Sequence, residues 1–233
     1  MSVQIGSARI DENGRATGGR YGDQTGVEVC TEDWYRHSLG WVVLRAKNPE
    51  KREWLATAME QACANDLIGY DQDYRMSLYK AAQPVGFCPA KVTKACDTDC
   101  SALVRVCCLY AEINCPDFYT GNERETLEAT GQFEIITDPA VCDYSALLMR
   151  GDILVTKTKG HTAIVLSDGT GIHETENTDE LEVAANVLTT RYDDFIHYLA
   201  ERAKNGDFGD GERRRQLLGG LYDDVRAEIN GWR

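Results

Sequence analysis

Residues 152–166 read Asp-Ile-Leu-Val-Thr-Lys-Thr-Lys-Gly-His-Thr-Ala-Ile-Val-Leu. Two short apolar runs flank a turn at Thr158-Lys-Gly160, and Ser167-Asp-Gly169 turns the chain again. Runs of this length between turn residues are buried strands of an antiparallel meander. Gly171-Ile-His-Glu-Thr175 reads as its third strand. An apolar sheet face must be covered by a second layer, and the cover is expected from helices that precede it. Asn48-Pro49-Glu50 is a helix start, with Asn48 as cap and proline in the first turn. Trp54, Leu55, Ala58, Met59 and Ala62 then recur at helical spacing, and the helix is expected to run to about Ile68, where Gly69 stops it.

A second helix is expected from Cys100 to about Ile113. Its core stripe is Leu103, Val106, Cys107 and Tyr110, and Cys100 sits one turn earlier on the same stripe. The first 29 residues read as loops around short extended pieces. Residues 115–145 read as irregular, with Phe133, Ile135 and Ile136 as a candidate strand. Helices early and a meander late make an α+β domain over residues 1–191. The tail differs. Helical stretches at 194–204, 212–218 and 223–232, broken by the polar cluster 205–211, make a three-helix module over 193–233. Phe195, Ile196, Leu199 and Ala203 share one face of its first helix, and Val225 and Ile229 are one turn apart in its third. A unit this small has a marginal core alone.

The formal charge of −13 argues against non-specific nucleic-acid binding, which needs clustered cations. It argues equally against charge-driven binding to an anionic membrane. No stretch approaches the roughly 18 apolar residues of a membrane span. The N-terminus lacks the basic region and apolar run of a signal peptide. Nine cysteines is an odd number, unlike a secreted disulfide framework. The expectation is a soluble product of a reducing cytoplasm.

The thiols divide by helical position. Cys107 and Cys108 lie in the helix body and read as small core residues. Cys100 lies in the first turn behind Thr98 or Asp99 as cap, where the helix dipole and free backbone N–H groups favour a thiolate. The helix alone leaves Cys100 open between nucleophile and core. His161 begins a strand after a glycine, and His173 follows on the next candidate strand. A cysteine on a helix start, then a histidine on a strand, then a polar residue on the neighbouring strand is the order of a papain-like site. Cys100 is then the nucleophile, His161 the base, and His173 orients His161. Cys88, Cys96 and Cys100 lack the paired spacing of a zinc knuckle, so no metal and no cofactor is expected. His37, in a surface turn, and His197, in the tail, are expected to have no catalytic role.

Asp99-Cys100-Ser101 opening a helix, Arg150-Gly-Asp-Ile-Leu154 before a strand, and Gly160-His161-Thr-Ala-Ile-Val-Leu166 resemble the NlpC-type papain-like peptidoglycan hydrolases. More narrowly, with Gly18-Gly-Arg-Tyr-Gly-Asp-Gln-Thr-Gly26 and Ile68-Gly-Tyr-Asp-Gln72, roughly residues 5–175 resemble phage and prophage endolysins of the amidase and endopeptidase group. The resemblance implies a cysteine-bearing helix packed on an antiparallel sheet that bears the histidines. It implies hydrolysis of a stem-peptide amide, usually from D-isoglutamate or D-isoglutamine to the diamino acid. In some relatives the bond from N-acetylmuramic acid to L-alanine is cut instead. An inactive wall-binding protein is a further alternative. Ile172-His173 matches the family's third catalytic position. Tyr70 is the candidate for the hydroxyl that some members hold near the oxyanion, and Asp99 and Ser101 join it as oxyanion or substrate candidates.

Residues 193–233 resemble a short three-helix cell-wall-binding repeat of phage lysins, present once. Asp207, Gly209, Asp210, Gly211 and Arg214 are its wall-binding candidates. The partner implied is bacterial peptidoglycan, with no nucleic acid and no membrane span. A single weak repeat would gain from a homo-oligomer. The resemblance implies synthesis in the host bacterium's cytoplasm and release to the wall, dependent on a holin.

Overall fold

The computed structural model describes residues 2–169, 196–197, 200–201, 203–204, 214–215 and 222–231. The chain divides into two compact units, Met1–Thr175 and Glu176–Arg233. The expected domain boundary at residue 191, the third meander strand and His173 all lie outside the described residues.

The first unit is α+β. Its main sheet has six strands in the order β2-β1-β8-β7-β3-β6, every neighbouring pair antiparallel. The strands are β1 (Gln4–Ala8), β2 (Val29–Asp33), β3 (Trp41–Ala46), β6 (Phe133–Ile136), β7 (Ile153–Thr156) and β8 (Thr162–Val165). A separate parallel pair joins β4 (Ile68–Tyr70) to β5 (Cys96–Thr98). The expected hairpin at 152–166 is present, with Val155 opposite Thr162 and Ile153 opposite Ile164. It does not stand in a late meander. It sits mid-sheet, between β1 and β3, so strands more than 100 residues earlier complete it. β3 has no counterpart in the sequence reading. Trp-Val-Val-Leu-Arg-Ala is apolar on both faces because both faces are covered, so it lacks the alternation that marks a half-exposed strand.

The pleat sends alternate side chains to two cores. Val42, Leu44, Ile153, Val155 and Ile164 pack with Leu55 and Met59 of α1 (Pro49–Cys63) and Leu103 and Val106 of α3 (Cys100–Tyr110). Trp41, Val43, Leu154, Ala163 and Val165 pack on the other face with Val141 and Cys142 of α5 (Pro139–Cys142). Asn48 caps α1 as expected, accepting from Glu50 N–H. The helix ends at Cys63 rather than about Ile68, because 68–70 is drawn into β4. α3 ends at Tyr110 rather than about Ile113. The stretch expected to be irregular holds β6 and two short helices, α4 (Glu123–Glu128) and α5. Another short helix of the unit is α2 (Ser77–Ala82).

The Arg150-Gly-Asp stretch is a brace. Arg150 pairs with Glu53 at 2.9 Å and with Glu60, both on α1. Gly151 has φ +86°, and a Cβ there would stand 2.1 Å from the Arg52 carbonyl oxygen. Asp152, fully buried, takes Arg45 of β3 through two bonds of 2.7 and 2.8 Å. The start of β7 is therefore pinned to a helix and to its neighbouring strand at once.

In the second unit, α6 spans Tyr222–Ile229. Ile196, Ala200, Ala203 and Val225 are buried together, with Tyr222 and Ile229 against them.

Candidate functional site

The site begins with the cap of α3. Asp99 Oδ1 accepts from Ala102 N–H at 2.6 Å and from the Ser101 hydroxyl at 2.9 Å. Arg75 Nε donates to Asp99 Oδ2 at 2.7 Å, and the same guanidinium reaches Asp117 and the Phe118 carbonyl. Arg75 thus braces the helix start against the 117–118 loop. The side chains of Asp99 and Ser101, candidates for oxyanion or substrate contact, are engaged in this cap.

Cys100 is 8% exposed. The backbone N–H groups of Thr162 and Ser101 face its sulfur. Burial nevertheless pushes the thiol up to about 12, and the Asp99 and Glu123 carboxyl groups push the same way. In the free protein, then, Cys100 is a thiol. The favourable helix start is outweighed by the loss of water around the sulfur. Cys107 and Cys108 are fully buried in the core, as expected, and all nine cysteines are free thiols.

His161 stands immediately before β8, one residue earlier than the strand proper. Its N–H donates to Thr156 Oγ1 at 3.0 Å, and its carbonyl accepts from Thr156 N–H at 3.0 Å. The 156–161 turn is thereby closed on itself. A Cβ at Gly160 would come within 2.8 Å of Leu39 Cδ1 and 2.9 Å of Thr156 Oγ1, so a side chain there would make both neighbours shift. The imidazole lies 6.3 Å from the Trp41 ring and is stacked with His37 at 6.5 Å. Burial pulls it down to about 4, with His37 and Arg9 acting in the same sense. Its Nε2 is buried and has no hydrogen-bond partner among the described residues. A buried ring nitrogen without a partner is costly and marks a place where a bond is missing.

Tyr70 is in β4, 4% exposed, with its hydroxyl accepting from Gln72 Nε2 at 2.9 Å. Burial pushes the phenol up to about 12, and Cys100 and Asp99 are within electrostatic reach of it. The Gly18–Gly26 and Ile68–Gln72 stretches are partners of one another. Asp71 Oδ2 accepts from Gly18 and Gly19 N–H, and a Cβ on Gly69 would stand 2.4 Å from the Gly22 carbonyl oxygen. Their glycines let one loop lie flat on the strand that carries Tyr70.

Three residues of this neighbourhood were not singled out from sequence. Arg75 stands in no local sequence pattern that marks it. His37 does lie in a turn, with Gly40 N–H donating to its carbonyl, but its ring stacks on His161. Glu123 falls in the stretch read as irregular, yet it opens α4 and is fully buried, and the Thr162 hydroxyl donates to its Oε1 at 2.7 Å. Among the described residues no group of three or more His, Cys, Asp or Glu side chains is placed to hold a metal ion, and no helix is long and apolar enough to cross a membrane. In the second unit, Arg214 donates to the Ala203 carbonyl and borders a cavity of about 280 Å³ with Tyr222, Arg226 and Asn230. His197 sits 2.8 Å from Glu228. Asp207, Gly209, Asp210 and Gly211 lie outside the described residues.

The endolysin-like domain family matches residues 5–172, most of the chain. The chain belongs to that family. The match covers Cys100, His161 and Tyr70 and stops one residue short of His173. An endolysin-like domain is the domain of a lysin that acts on the bacterial cell wall, which makes peptidoglycan the substrate. Searches of curated proteins and of solved structures return no significant match.

Proposed function

We propose that this endolysin-like domain is a cysteine peptidoglycan hydrolase with a papain-like, NlpC-type arrangement. It cleaves the stem amide from D-isoglutamate or D-isoglutamine to the diamino acid. Cys100 is the nucleophile, His161 the general base and His173 the residue that orients it. The observation that carries this reading is the approach of Thr162 N–H to the Cys100 sulfur. It brings the thiol to the residue next to His161, whose buried Nε2 has no hydrogen-bond partner among the described residues. An orienting group bonds a ring nitrogen of the base in a cysteine–histidine site.

The chemistry starts from a neutral pair, because burial holds the thiol protonated and the imidazole unprotonated. His161 accepts the Cys100 proton as the sulfur attacks the amide carbon. Backbone N–H groups at the start of α3, with the Tyr70 hydroxyl, hold the oxyanion. The imidazolium returns its proton to the departing amine, and the C–N bond breaks. Water, deprotonated by the same imidazole, then attacks the thioester; the imidazolium returns that proton to the departing Cys100 sulfur, and the carboxylic acid product loses its proton to solvent. The 193–233 module binds the wall and improves retention, more so if copies associate. The protein reaches its substrate from the host cytoplasm after the membrane is opened by a holin.

Cys100→Ala should abolish lysis of purified walls while leaving wall binding and the circular dichroism spectrum intact. Full lysis by that variant overturns the nucleophile assignment. Mass spectrometry of the digested muropeptides reads the bond. A freed α-amine on the diamino acid supports the endopeptidase, and a free N-terminal L-alanine assigns the protein as an N-acetylmuramoyl-L-alanine amidase instead.

A further inference from the structure

Glu123 has no part in those steps, and its position is unusual. It is fully buried, it bonds to Thr162 through Oε1, and its Oε2 has no partner among the described residues. Thr162 is tied to both reacting groups. Its N–H faces the Cys100 sulfur, and it follows His161 in the chain. Among the described residues Glu123 bonds to neither nucleophile nor base, yet it holds the residue tied to both.

The charge around it is one-sided. Asp99, Cys100 and Cys108 face it from α3, Cys115 from the loop after α3, and Thr162 from β8. None of these carries a positive charge. Among these described groups a carboxylate has one bond and no compensating positive charge, whereas a carboxylic acid loses little on burial. Burial indeed raises the Glu123 carboxyl to about 8. The Cys100 sulfur feels the same group, since a charged Glu123 opposes a thiolate there.

We propose that Glu123 is a positioning residue that acts as a neutral carboxylic acid. Protonated, it ties α4 to β8 through Thr162 and leaves the Cys100 sulfur free to ionise on attack. When it loses its proton to solvent, it sets a second negative charge beside the sulfur and turns the site off. The inference rests on Cys100 being the nucleophile.

The test uses the full chain. Alkylation of Cys100 by iodoacetamide, followed across pH by mass spectrometry of the peptide that carries it, reads ionisation of the sulfur without any lysis assay. In Glu123→Gln the alkylation profile should move about one pH unit lower than in the wild type, the effect of removing one adjacent like charge. Wall lysis by the wild type should fall above about pH 8, and the Gln variant should lose that fall whatever its activity at pH 7. A merely structural Glu123 would lower activity equally at every pH. Alkylation profiles that coincide in the two proteins overturn the proposal while leaving the nucleophile reading standing. Full lysis by Cys100→Ala sinks the nucleophile reading by itself. Carboxyl-carbon NMR of the wild type needs no variant to fold. Glu123 should still be protonated at pH 7, and an ionised Glu123 at pH 6 overturns the proposal.

Discussion

His161 is held neutral by burial down to about pH 4, against an ordinary value of 6.5. In the unfolded chain the same ring takes a proton near 6.5. The unfolded state therefore binds more protons between those values, and stability falls as pH drops from about 6.5 to about 4. Urea midpoints measured across that window should decline, and His161→Gln should flatten the decline. Glu123 has the opposite sign. Its folded value of about 8 lies above its ordinary 4.5, so its contribution is fully present below 4.5 and is lost as pH rises to about 8. Glu123 does not announce itself in the sequence, and His161, read there as the base, does not disclose its protonation. A histidine after a glycine and a glutamate on a short helix are common, and only the water excluded around them makes them special.

At the scale of the element, the start of α3 and the start of β7 are built in the same way. Each is a short polar motif whose side chains are engaged in holding an end in place. Asp99 caps α3 and is braced by Arg75, while Asp152 pins β7 through Arg45. Asp152→Ala should cost about 3–5 kcal/mol, since it leaves the Arg45 guanidinium without its buried carboxylate. Urea unfolding checks the figure. A change under about 1 kcal/mol would mean that the pair is offset by its own desolvation. The Asp99-Cys100-Ser101 and Arg150-Gly-Asp motifs were legible because such ends need particular residues at fixed offsets. β3 was not, because it is apolar on both faces and, unlike the runs at 152–166, has no short turn joining it to a second strand. The short α4 was not either, because six residues barely make one and a half turns.

At the scale of the molecule, two units share the chain. Deleting residues 193–233 should weaken binding to purified walls by at least tenfold in a sedimentation assay. Hydrolysis of a soluble muropeptide should stay within about twofold of the full chain. Loss of both activities together would tie the tail to the catalytic fold instead. These magnitudes follow from a second site acting only through effective concentration at the wall.

The sequence alone determined the α+β class, the hairpin at 152–166, the cap before Cys100 and the difference between Cys100 and its two neighbours in the helix. Each of these is local, set by turn residues, apolar period or position within one helix. Tertiary structure decided what lies far apart in the chain. It seats the hairpin between β1 and β3, lays the Gly18–Gly26 loop on the strand of Tyr70, stacks His37 on His161 and buries Glu123 against Thr162. It also decided the protonation of the site. A helix start favours a thiolate by its dipole, but desolvation depends on everything packed around the sulfur, and there it is the larger effect.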